Sequence, residues 1–183
     1  MQIRDLTPDD QDAIQHVAQI LVDGFAQHWP DAWPTITDAL EEVQESFEEG
    51  KISRVAVDDD GTVLGWIGGQ HTYAQVWELH PLVVRPDQQG KGIGRVLVED
   101  LEQHVRERGG LTLMLGSDDQ DDMTTLSGVD LYNNLWEAIA SIRNLRGHPY
   151  EFYEKLGFKI VGVIPDANGI GKPDILMAKR VGV

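Results

Sequence analysis

The stretch "VVRPDQQGKGIGRVLVEDL", residues 83–101, decides how the chain folds. Val83 and Val84 end an apolar run of strand character, and Ile93, Val96, Leu97, Leu101 and Val105 then recur at helical spacing. The spacing predicts a helix over about 92–108. Between them lies Gln88-Gln89-Gly90-Lys91-Gly92-Ile93-Gly94. Glycines let a backbone approach a ligand closely and adopt positive φ. The start of a helix offers free N–H groups and a partial positive charge. Together they suit a phosphate or pyrophosphate, with Arg85, Lys91 and Arg95 flanking the loop. A nucleotide P-loop needs G-x-x-x-x-G-K-[ST], which is absent, and a dinucleotide fingerprint starting at Gly90 meets Arg95 where its last glycine belongs. A tight strand-to-helix turn is the plain alternative.

Outward from this loop the pattern alternates. Residues 2–6 read as a strand. Thr7-Pro8-Asp9-Asp10 opens a helix, with Thr7 as its cap, Pro8 in its first position, and Ile14, Val17, Ala18, Leu21, Val22 and Phe25 on one face. Two prolines break it at His28-Trp29-Pro30-Asp31-Ala32-Trp33-Pro34. A helix over 36–49 follows, buried through Leu40, Val43 and Phe47, with Glu41, Glu42, Glu45, Glu48 and Glu49 as a solvated face. Strands are expected at 54–57, 62–74, 76–84, 111–115, 158–164 and 174–180, and helices at about 136–145 and 149–156. Strands that first meander and then alternate with helices predict an α+β fold with a mixed, mostly antiparallel central sheet flanked by helices. The expected organisation is a single domain over 1–183, with 117–148 as a lid or dimer-contact insertion.

Composition narrows the function classes. No cysteine is present, which excludes disulfides, thiolate metal sites and a cysteine nucleophile. No apolar run approaches the ~20 residues of a membrane span. Met1-Gln2-Ile3-Arg4-Asp5 lacks a signal layout, so a cytoplasmic location is expected. The net charge of −16 repels nucleic acid and anionic membranes and attracts cations. Charge is dense in "GSDDQDDMTTLSGVD", residues 116–130, where Asp118, Asp119, Asp121 and Asp122 crowd together. An EF-hand fails there, because Gln120 and Met123 stand at ligand positions, and no His-x-x-x-His pair exists for zinc. No metal is expected. A solvated loop or a docking site for a cation remains.

Gln89-x-x-Gly92-x-Gly94 after this strand resembles the coenzyme A loop of the Gcn5-related N-acetyltransferases. Glu151-Phe152-Tyr153-Glu154-Lys155-Leu156-Gly157-Phe158 resembles the family's later tyrosine helix. Many members carry Asn seven residues before that tyrosine and Ala four before it; Arg146 and Pro149 stand there in this chain. The resemblance implies acetyl-CoA as co-substrate. Leu82, Val83 and Val84 would lie along its pantetheine arm, and its pyrophosphate would sit on the backbone of Gln89, Gly90, Lys91, Gly92, Ile93, Gly94 and Arg95. It also implies direct attack of an amine on the thioester, with Tyr153 protonating the thiolate. The ammonium must first lose a proton, and Glu78 and His80, on one face of a strand, are both candidate bases, directly or through water.

"WELHPLVVRPDQQGKGIG", "GSDDQDDMTTLSGVDLY", "HPYEFYEKLGF" and "IVGVIPDANGIGKPDILMAKR" further resemble one branch of the aminoglycoside 6′-N-acetyltransferases. That likeness implies a polycationic aminoglycoside acetylated at its 6′-amine, resistance as the outcome, and a homodimer. Asp118, Asp119 and Glu78 would hold ammonium groups. His28 and Trp29 resemble an early acceptor-side motif, with Trp29 against a sugar ring. Alternatives are a polyamine or protein amine as acceptor, a non-catalytic acyl-CoA module, or a calcium-dependent interaction module.

Overall fold

Glycine at position 68 is required by its neighbour strand: a Cβ there would lie 2.2 Å from the His80 carbonyl oxygen. The register explains the crowding. Ile67 pairs with Leu82 and Gly69 with Leu79, so Gly68 alone faces both His80 and Pro81, a bulge in the second strand. The computed structural model describes residues 1–182 and places this bulge in a unit formed by Met1–Leu113 with Val181 and Gly182.

That unit holds β1 (Gln2–Asp5), β2 (Ile52–Val57), β3 (Val63–Tyr73) and β4 (Val76–Val84) in sequential antiparallel order. It also holds α1 (Gln11–Phe25), α2 (Ile36–Glu45) and α3 (Ile93–Glu107). The core closes on Ile14, Val17, Leu21, Val43, Val55 and Trp66, all without exposed surface. Burying each such aliphatic side chain stabilises the fold by ~1.5–3 kcal/mol. Trp66 keeps its indole N–H satisfied on Ser53 Oγ at 2.9 Å. Arg54 is held by Asp100 and Asp5.

The start of α1 differs from the expectation. Thr7 is not the α1 cap: its carbonyl accepts from Asp10 N–H at 3.0 Å in a turn, and the Asp10 side chain caps the helix by accepting from Ala13 N–H. For α2, Thr35 and Asp38 form a reciprocal capping box, and the helix ends at Glu45 rather than near 49.

The second unit, Met114–Arg180, contains most of β5 (Thr112–Asp118), then α4 (Leu131–Ala140), α5 (Tyr150–Lys155), β6 (Lys159–Ile164) and β7 (Asp174–Arg180). Its strand order is β5-β7-β6, with β6 and β7 antiparallel. Strand β5 runs three residues further than the apolar pattern showed, to Asp118. Helix α4 starts earlier than expected because Asp130 caps it, accepting from Tyr132 N–H at 3.1 Å. The elements throughout are α+β, as the sequence implies.

Replacing Gly68 by Ala should destabilise the chain by about 1–3 kcal/mol, the usual cost of overpacking a tight contact. Urea unfolding checks this; Gly61→Ala, where no atom lies within 4 Å of the new Cβ but φ is +86°, separates crowding from backbone strain.

Candidate active site

The loop after β4 has the backbone its sequence demands. A 3-10 turn over Pro86–Gln88 follows the strand, and Gln89 Nε2 donates back to the Val84 carbonyl at 3.2 Å. Gly90 and Gly92 take φ of 76° and 87°. Gly92 is the cap residue of α3 and supplies no side-chain cap, so the first N–H groups of the helix stay available. Cβ positions on Gly90 and Gly92 meet no atom within 4 Å. An exposed glycine turn opening onto an uncapped helix start fits a diphosphate.

The flanking cations are less free than the sequence suggested. Arg85 grips Asp87 through two bonds of 2.6 and 2.9 Å. That grip holds the Asp87 carboxyl at about 2. Lys91 donates to Gln88, and Arg95 lies 3.8 Å from Glu99. The backbone therefore contributes much of what the loop offers an anion.

Along β4, burial alternates. Trp77, Leu79, Pro81 and Val83 are buried, while Glu78, His80, Leu82 and Val84 are half-buried or exposed. Glu78, His80, Leu82 and Val84 therefore share a face. Val83 turns its side chain into the core and pairs with Trp66 of β3. Glu78 accepts from Gln70 Nε2 at 3.2 Å. His80 Nε2 lies 3.6 Å from Glu42 Oε1. Glu42, expected among solvated glutamates, is instead drawn in from α2 and also accepts from Trp33 Nε1 at 3.3 Å. Its carboxylate raises the His80 imidazole above the ordinary histidine value against the pull of burial. Burial pushes the Glu42 carboxyl up, but His80, Trp33 and Lys51 together outweigh it and hold it below its usual value. His28 and Trp29 stack edge-on at 5.6 Å, within an aromatic run in which Phe25 meets Trp29 at 5.6 Å and Trp33 at 4.6 Å.

In the second unit Tyr153 lies on α5, which ends in a Schellman motif. Phe158 N–H bonds the Tyr153 carbonyl, Gly157 N–H bonds the Glu154 carbonyl, and Gly157 takes φ of 94°. Only 8% of Tyr153 is exposed, and burial raises the pKa of its phenol well above the ordinary value.

The four aspartates have separate fates. Asp119 has no exposed surface; its two oxygens accept from Met123 and Thr124 N–H at 2.7 and 2.8 Å. The expectation that Asp119 meets a ligand does not hold, because both oxygens are spent on the loop. Asp118 is half-buried and accepts from Asn168 Nδ2. Asp122 pairs with Lys172 at 2.7 Å, and Arg146 binds the carbonyls of Asp121 and Asp122. Arg146, one departure from the family pattern, thus ties this loop. Pro149, the other, is the cap residue of α5. The segment closes on itself, since Thr124 and Asn144 form a bridge and Met123 O accepts from Leu145 N–H at 2.8 Å. Among the described residues, no group of three or more His, Cys, Asp or Glu side chains is placed to hold a metal ion.

Comparison with known proteins agrees with this geometry. Residues 14–125 match the model of the Acetyltransferase (GNAT) family. A crystal structure of an aminoglycoside 6′-N-acetyltransferase complexed with coenzyme A is 44% identical, with 99% of this chain and 97% of that one covered at a TM-score of 0.89. The enzyme of that name from Enterococcus faecium is also 44% identical over the same shares, at 0.87. Aminoglycoside 6′-acetyltransferase type Ii is 36% identical over 99% and 97%, at 0.73. A search of curated protein sequences gave no match. The chain belongs to the GNAT acetyltransferase family, whose members use acetyl-CoA.

His148 supplies a pH test of the second unit. It is 2% exposed; its Nδ1 accepts from Tyr150 N–H at 3.2 Å, and its Nε2 faces the Asp118 carbonyl at 3.2 Å. Burial depresses its pKa, although Asp119 and Asp118 pull the other way. Below the ordinary value of 6.5 the unfolded chain takes up a proton that the folded chain refuses, so stability falls with pH until the depressed value is passed. His148→Gln should flatten the unfolding free energy between pH 7 and 5.5 by up to about 1.4 kcal/mol per pH unit relative to wild type. Urea unfolding at both pH values measures this.

Proposed function

We propose that this chain transfers the acetyl group of acetyl-CoA to the 6′-amine of aminoglycosides. The observation that carries the reading is the full-length likeness to aminoglycoside 6′-N-acetyltransferases, one of them complexed with coenzyme A. The uncapped start of α3 and the open glycines fit the diphosphate of the donor, with Gln89 to Arg95 around it and Leu82 to Val84 beside its pantetheine arm. Acetyl-CoA would supply the acetyl thioester when bound.

The acceptor ammonium loses a proton to Glu78 or His80, directly or through water. Its nitrogen attacks the thioester carbonyl, the C–N bond forms, the C–S bond breaks, the thiolate takes a proton from the Tyr153 hydroxyl, and the second proton that the nitrogen sheds on becoming an amide restores the phenol, directly or through water. The Tyr153 phenol carries its proton at neutral pH with or without burial, and the burial that raises its pKa makes it a weaker donor, so the role rests on the resemblance of its helix to the family's tyrosine helix. Glu78 and Asp118 meet the remaining ammonium groups of the drug, and Trp29 with His28 lies against a sugar ring. The acidic charge of −16 speeds arrival of a polycation. Exposed Tyr132 and Trp136 on α4, with Val161 and Ile164 on β6, support a homodimer contact through the second unit. Acetyl-CoA as donor and the lack of cysteine fit a cytoplasmic enzyme that confers resistance.

Thiol release from acetyl-CoA tests the acceptor. Kanamycin, with a 6′-amine, should turn over; paromomycin, with a 6′-hydroxyl, should not. Turnover of spermidine or a lysine-rich peptide instead of kanamycin contradicts the reading. Tyr153→Phe should lower kcat on the order of 10²-fold. Light scattering should give twice the chain mass, and Trp136→Glu should reduce it.

A further inference from the structure

Glu42 is the one glutamate of its helix face shown holding two aromatic side chains. Its Oε2 accepts from Trp33 Nε1 at 3.3 Å, and its Oε1 lies 3.6 Å from His80 Nε2. Trp33 is itself fixed: it packs edge-on against Phe25 at 4.6 Å and lies 6.1 Å from the His80 ring. The Thr35–Asp38 capping box sets where α2 begins, and Glu42 follows Asp38 by one turn. The carboxylate is mostly shielded, with 21% of its side chain exposed against 46% for His80. Such a braced carboxylate interacts more strongly than an exposed one. The other charged groups acting on His80 are Glu78 on its own strand and Lys51 before β2.

The geometry chooses between the two imidazole nitrogens. Nε2 lies 3.6 Å from a carboxylate, which favours the tautomer with its hydrogen there and the lone pair of the neutral ring on Nδ1. We propose that Glu42 is a positioning residue for acetyl transfer: it fixes the His80 ring so that Nδ1 takes the proton of the acceptor ammonium, directly or through one water. The inference rests on the acetyl-transfer reading and resolves its choice of base. As the proton moves to Nδ1, the imidazolium forms beside the Glu42 carboxylate. The freed amine attacks, the C–N bond forms, the C–S bond breaks, and the second proton shed by the nitrogen balances the one that the departing thiolate takes up. The raised basicity of His80 agrees, since a base works best when its pKa lies near the working pH. Glu78, tied to Gln70 on the same face, meets the ammonium charge.

Glu42→Gln tests the proposal. Glutamine keeps the volume and an acceptor for Trp33, so the melting temperature should change little. In the full chain, NMR titration of the His80 ring should show its midpoint fall by about one pH unit. With kanamycin, the acid limb of kcat/KM should move down in pH by the same amount and its plateau should fall about tenfold, while KM for acetyl-CoA stays constant. An unchanged His80 midpoint overturns the proposal. So does a shifted midpoint with an unmoved limb, or a loss of activity that follows only a lower melting temperature. If wild type acetylates no acceptor, the reading beneath the proposal fails, and the NMR titration alone still decides whether Glu42 holds His80.

Discussion

Strand β4 keeps its bulge and its half-exposed face because β3 gives way to it at one point. Gly68 has no side chain, and the His80 carbonyl occupies the space that a Cβ would need. The extra residue of the bulge is accommodated there, and Glu78, His80, Leu82 and Val84 line one face while Trp77, Leu79 and Val83 stay buried. The strand then runs into the loop of Gly90 and Gly92, whose positive φ values lead into α3. A side chain at 68 would disturb the base candidates and the strand that leads into the loop together.

Charge in this acidic chain is sorted rather than uniform. Asp119 is a buried staple for two backbone N–H groups, which would cost about 1–3 kcal/mol each if left unpaired. Asp87 neutralises Arg85, Asp122 takes Lys172, and Asp100 with Asp5 holds Arg54. Glu42 is committed to Trp33 and His80. The crowding of residues 118–122 is relieved by local partners, with Asn168 on Asp118 and Arg146 on two backbone carbonyls. A carboxylate cluster in sequence therefore need not be one site in space.

Much of this was legible in the sequence where local chemistry dictates structure. The glycine loop, the apolar stripe of α3 and the Gly157-Phe158 end of α5 each carry their signal within a few residues. The fates of the aspartates were not legible: Asp119 looks like its neighbours, and only the return of the chain at Met123 and Thr124 turns it inward. Glu42 was hidden for a similar reason. Its helix is rich in glutamate, and its partners, Trp33 before the helix and His80 on a distant strand, share no spacing with it. The cap at Asp10 was missed because Thr7-Pro8 offered a competing start, and the cap at Asp130 lay in a segment without clear periodicity.

The central claim is transfer of acetyl to one particular amine, so the direct measurement is two-dimensional NMR of the product formed from kanamycin and acetyl-CoA by the purified chain. The account predicts a single monoacetylated product, with the new amide correlated to the protons at the 6′ carbon. An acetyl group on any other amine, or no product from protein that binds coenzyme A, would contradict it.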